Sequence, residues 1–172
     1  MIKGVRHTGI VVHDIDGAID FWVDLLEFKI VSNQIETGEF INRLLALDSV
    51  EVQTVKLVAK DETMIELLHF KSHSHNEYWE GNPYSKGLTH VALNVSDIAE
   101  LTKRLGKLGY QSLNDHQISP DGKVRVCYVK AFEGLLLELV EESNCIETGV
   151  PVGFPTTTVS FLMHPPQVMV AT

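Results

Sequence analysis

One pattern occurs twice in this chain, and a repeat of that length must fold as two alike units packed together. His7 opens HTGIVVHDID and His90 opens HVALNVSDIA. Glu66 lies in MIELLHF and Glu138 in LLLELVE, each a glutamate inside an apolar strand pattern. Two histidines and two carboxylates at matching places read as one metal site shared between the halves.

The order of elements repeats around these residues. In the first half, Val5, Ile10, Val11 and Val12 predict a strand over 5–12. Asp14 follows as a helix cap. Ile15, Ala18, Ile19, Trp22, Leu25 and Leu26 then recur at helical spacing. Strands are predicted near 28–35, 50–58 and 62–70. In the second half a strand over 88–95 leads to Asp97, which with Glu100 has capping-box spacing. Ile98, Leu101, Leu105 and Leu108 form the next helical stripe, and Gly109 suits its left-handed end. Strands near 110–117, 122–131 and 134–141 complete the unit, with a turn at Ser119-Pro120-Asp121-Gly122.

The His-to-Glu spacing is longer in the first unit, and residues 37–47 account for the excess. There Phe40, Ile41, Leu44, Leu45 and Leu47 predict an extra short helix with one apolar side, able to wall a pocket. The expected organisation is a first module over 1–70, a polar Gly- and Pro-containing linker over 71–87 and a second module over 88–142. A tail over 143–172, with four prolines, stands outside the repeat.

Composition narrows the function classes. A net charge of −9 disfavours nucleic acid as a partner. No run has the roughly 18 apolar residues of a membrane span. MIKGVRHTG moves straight into a strand pattern without a signal peptide, so a cytoplasmic location is expected, with Cys127 and Cys145 as reduced thiols.

The glutamates are the residues hardest to explain as ordinary core. Each is flanked by apolar residues on both strand faces, where a carboxylate is costly unless paired. A divalent cation supplies that pairing. Two carboxylates and two neutral imidazoles balance its charge, and this donor set suits zinc, nickel, cobalt, manganese or ferrous iron. Such an ion would act as a Lewis acid beside a carbonyl, easing loss of the α-proton to a glutamate base, Glu138 or Glu66. Other features weigh less. His69, His73 and His75 read as a solvated linker sooner than a second metal site. Arg43, Lys123 and Arg125 are surface charges that would otherwise meet an anionic substrate. Trp22 and Phe21 read as core.

HTGIVVHDIDGAIDFWVDLLEF and HVALNVSDI, closed by LLLELVE, resemble the vicinal oxygen chelate superfamily over residues 3–142. That group includes glyoxalase I, methylmalonyl-CoA epimerase, extradiol dioxygenases, fosfomycin-resistance transferases and bleomycin-binding proteins. The resemblance implies an α+β fold of two tandem βαβββ modules forming a cupped, incomplete mixed β-barrel around a divalent metal. By the glyoxalase I pattern, His7, Glu66, His90 and Glu138 would be its ligands. It also implies a homodimer and a small-molecule substrate of the anionic thioester or hemithioacetal kind. Glu27 stands where the family's LGF segment has glycine, leaving that helix end without its usual left-handed residue. Epimerases usually carry Gln at the place of Glu66, which tilts the match toward the glyoxalase-type ligand set, and the implied activity is a glyoxalase I-like or methylmalonyl-CoA epimerase-like lyase or isomerase. The alternatives are an extradiol-type dioxygenase using His7, His90, Glu138 and iron, and a metal-free antibiotic-binding protein.

Overall fold

The computed structural model describes residues 1–73 and 82–142, so the 143–172 tail with Cys145, and His75 of the linker, lie outside the described residues. The first module runs β1 (Thr8–Val11), α1 (Ile15–Ile19), a π-helical continuation Asp20–Leu25, β2 (Lys29–Thr37), α2 (Glu39–Leu45), β3 (Glu51–Val58) and β4 (Met64–Phe70). The second runs β5 (Val91–Asn94), α3 (Ile98–Lys107), β6 (Gln111–Ser112), β7 (Gln117–Ile118), β8 (Val124–Lys130) and β9 (Leu136–Glu142). A single 3-10 turn, Phe132–Gly134, precedes β9.

Each module forms its own mixed sheet, in the orders β1-β4-β3-β2 and β5-β9-β8-β6, with β7 also on β8. In both, the first strand pairs in parallel with the last, and the remaining pairs are antiparallel. The α+β fold of two βαβββ modules is therefore as expected, and no barrel closes.

Alternation along the strands decides where the core sits. Val55, Leu57, Ile65 and Leu67 leave the first sheet on one face, and Cys127, Val129, Leu137 and Leu139 leave the second likewise. Both sets join a single core with Trp22 and Phe21 from the first helix and Ile98 and Leu105 from α3. Phe21 meets Tyr110 of the other module edge-on, with ring centroids 5.1 Å apart. The 3-10 turn fastens the modules a second time, since the Glu133 carboxylate accepts the backbone N–H groups of His13 and Asp14 at 2.8–3.0 Å.

The predicted caps hold: Asp14 accepts from Gly17 N–H at 3.0 Å and Asp97 from Glu100 N–H at 2.9 Å. A further first-turn donor, the Ile98 N–H, goes to Glu141 Oε2 at 2.7 Å. Gly109 takes φ +90° as expected, and Glu27 takes φ 62° itself. The first helix thus ends on a left-handed residue after all, at the steric cost a Cβ imposes there.

Three boundaries differ from expectation. The first strand begins at Thr8 rather than residue 5, leaving Val5 exposed without a ladder partner. The strand expected over 110–117 divides into β6 and β7 around an irregular Leu113–His116 segment. The inserted helix forms, but its apolar residues divide by helical geometry: Ile41 and Leu45 pack on the sheet, while Phe40 and Leu44 are exposed, one position earlier on the wheel.

Candidate functional site

Parallel pairing of first and last strands places each histidine beside its glutamate. Gly9 is in register with Glu66, and Ala92 with Glu138. His7 and His90 lie two residues earlier than these partners and so share the glutamates' face. His7 Nε2 stands 3.1 Å from Glu66 Oε2, and His90 Nε2 stands 3.1 Å from Glu138 Oε2. The same atoms meet at the same distance in both modules. The carboxylates keep only 14% and 23% of their side-chain exposure.

The four residues form two pairs rather than one cluster. Among the described residues no three His, Cys, Asp or Glu side chains are grouped closely enough to hold a metal ion. The cause lies in the shared core. Ile65 and Leu67 turn inward, so Glu66 turns outward, and Leu137 and Leu139 do the same for Glu138. A cleft of about 350 Å³ between β1 and β5 is lined by His90 but by none of the other three.

Each pair has a third member that the sequence reading missed. Antiparallel register sets Lys56 opposite Glu66 and Tyr128 opposite Glu138. Lys56 Nζ lies 3.4 Å from Glu66 Oε1. The Tyr128 phenol lies beside Glu138, and its ring stands edge-on to His90 with centroids 5.2 Å apart. Burial, then the charge and hydrogen bond of Glu138, hold the Tyr128 phenol above its ordinary pKa, so it stays protonated at neutral pH. The signal was available, because Lys56 precedes Glu66 by the same interval as Tyr128 precedes Glu138.

Surrounding contacts distinguish the pairs further. His90 Nδ1 meets Thr89 Oγ1 at 2.9 Å, whereas His7 Nδ1 is buried without a hydrogen-bond partner. On the first sheet α2 roofs part of the glutamate's own face, with Ile41 and Leu45 on Val52, Leu68 and Phe70.

The lesser candidates are placed elsewhere. His69 Nδ1 meets Val12 O at 3.2 Å and His73 Nδ1 meets Ser72 Oγ at 2.7 Å, so these two do not converge on an ion. Arg43 pairs with Glu39, Lys123 with Asp121 and Arg125 with Glu141, as surface charges do. Cys127 is buried, and burial pushes its thiol pKa up, as suits an inert core residue.

Known proteins share this fold. The chain superposes on a glyoxalase family protein from Bacillus cereus at TM-score 0.76 and 27% identity, covering 83% of this chain and 95% of that one. A glyoxalase family protein from Enterococcus faecalis matches at TM-score 0.58 and 19% identity, over 81% and 98% of the two chains. The fosfomycin resistance protein FosX from Listeria monocytogenes, complexed with Mn(II) and sulfate, matches at TM-score 0.56 and 16% identity, over 83% and 95%. No protein of curated function matched. Among the described residues no helix is long and apolar enough to cross a membrane. Residues 6–128 match the family model for the Glyoxalase/Bleomycin resistance protein/Dioxygenase superfamily, and the chain belongs to that superfamily.

Proposed function

We propose that the protein is a divalent-metal-dependent lyase or isomerase that removes a proton α to a carbonyl, with a metal centre completed by a second copy of the chain. His7 and Glu66 of one copy would face His90 and Glu138 of the other. The observation that carries this reading is the matched Nε2–Oε2 separation of 3.1 Å in the two modules. Each pair brings one imidazole nitrogen and one carboxylate oxygen together in the same way, a donor combination that would suit a divalent ion. The first module's face also needs covering: Val11, in register with Leu68 on the glutamate's face, is 61% exposed. FosX, complexed with Mn(II), supports a divalent ion in this fold.

When bound, the cation would supply Lewis-acid polarisation of a substrate oxygen. The chain's residues divide the remaining work. His7 and His90 would each offer Nε2 to the ion, and Thr89 orients the second ring. Glu66 is held on two sides, by His7 and by the ammonium of Lys56. Glu138 is met by His90 and a neutral phenol, a weaker restraint, so Glu138 would be the base that takes the α-proton. The apolar underside of α2 keeps water off part of the first module's face.

Metal content and solvent isotope exchange test this together. Purified protein, or protein titrated with nickel, cobalt, zinc or manganese, takes up a divalent ion. Deuterium from solvent then enters the α-position of a thioester or hemithioacetal. Absence of metal uptake refutes the reading; iron with oxygen consumption on catechols replaces it with an extradiol dioxygenase.

A further inference from the structure

We propose that Lys56 anchors an oxyanion of the substrate, making the site cationic at its first-module end and neutral at its second. The inference rests on the metal-centre reading above. A row of side-chain positions runs across the first sheet through Gly9, Glu66, Lys56 and Ser32. The matching row of the second sheet runs through Ala92, Glu138 and Tyr128. The scaffold therefore offers one donor position beside each glutamate, filled by an ammonium in one module and a phenol in the other.

The partner of Lys56 sets it apart from the surface cations. Arg43, Lys60, Lys123 and Arg125 pair with Glu39, Glu27, Asp121 and Glu141, carboxylates outside the site. Lys56 pairs with Glu66, whose charge a divalent cation would share. The charge balance then changes sign. Two glutamates against a divalent ion leave no net charge, and Lys56 adds an unbalanced positive one. In a chain of net charge −9 that is a local attraction for anions. The side chain is 32% exposed, so its stem lies on the sheet while the ammonium reaches the open face. Ser32, half-buried and next in the row, adds a hydroxyl donor. A substrate whose oxyanion lies away from the reacting carbon is thereby held in one orientation, with that oxyanion on Lys56 and its α-carbon toward Glu138.

Calorimetric titration of sulfate and of acetate into manganese-loaded protein tests this, with sulfate standing for phosphate-type and acetate for carboxylate-type groups. Lys56→Met weakens one or both anions by about tenfold or more, the loss expected of a hydrogen-bonded charge. The anion weakened further identifies the class. Lys56→Arg retains most of the affinity, and Tyr128→Phe changes it little. Circular dichroism of Lys56→Met matches the wild type, showing that the variant is folded, and its manganese affinity is measured separately so that both proteins are compared with manganese saturating. Unaltered binding of both anions by manganese-loaded Lys56→Met overturns the inference alone, as does manganese-loaded wild type that binds neither anion. Wild type that takes up no manganese or other divalent ion overturns the metal-centre reading and this inference with it.

Discussion

The two modules agree at the histidine–glutamate pairs and disagree one strand away. His7–Glu66 and His90–Glu138 share atoms and a 3.1 Å separation, yet the next residue in the row is Lys56 in one module and Tyr128 in the other. The pairing of first and last strands constrains these pairs to one geometry. The neighbouring strand position carries no such constraint, so polarity and charge differ there. The same contrast recurs at the helix ends, where the first module uses Glu27 at φ 62° and the second Gly109 at φ +90°. It recurs again in the cover: α2 roofs part of the first glutamate's face, and the second module has no helix between β6 and β8.

The largest effect should come from the part that agrees. Glu66→Gln and Glu138→Gln should each weaken metal binding by more than the roughly 10–100-fold that loss of an outer-shell partner costs. Equilibrium dialysis should find the two losses similar. A large loss from one and none from the other would break the equivalence. Activity should separate what binding does not, because Glu138→Gln removes the proposed base as well as a ligand.

A smaller effect is expected at the fastening between modules. Glu133 accepts two backbone N–H groups of the first module while held at φ 49°. Glu133→Ala should destabilise by about 1–2 kcal/mol through those charged hydrogen bonds. Because one core spans both modules, chemical denaturation should remain a single transition. Two separate transitions in the variant would show that the modules are independent units.

The helix ends give the smallest effect, with opposite signs. Gly109→Ala should cost about 1 kcal/mol from backbone strain alone, since a Cβ there meets nothing within 4 Å. Glu27→Gly relieves the strain that Gly109 avoids and should raise the melting temperature modestly. A drop instead would mean that Lys60 and Arg104, which pair with Glu27 at 3.1 Å and 4.0 Å, outweigh it.

Most of the fold was legible because its signals are local and periodic. The Asp14 and Asp97 caps, the helical stripes and the glutamates within apolar strands each depend on near neighbours in sequence. The failures are cases where a distant partner decides. Val5 has the composition of a strand residue but no strand to pair with. The apolar residues of α2 looked like one face, yet only Ile41 and Leu45 reach the sheet. Lys56 and Tyr128 gain their meaning from register across a hairpin, and a lysine alternating with apolar residues otherwise reads as a solvated position. The site itself was read as two halves of one centre within the chain. The pairs were found, but strand alternation turns both outward from the shared core, so the proposed centre requires a second copy.

That union is the central claim, and mixing two crippled variants tests it most directly. Glu66→Gln and Glu138→Gln chains, unfolded together and refolded, would form mixed pairs in which one site carries both substitutions and the other carries none. Random pairing should restore tight metal binding to about a quarter of the wild-type capacity, although neither variant binds tightly alone. No recovery from a mixture proven to contain mixed pairs would show that each chain builds its centre alone, contradicting the account.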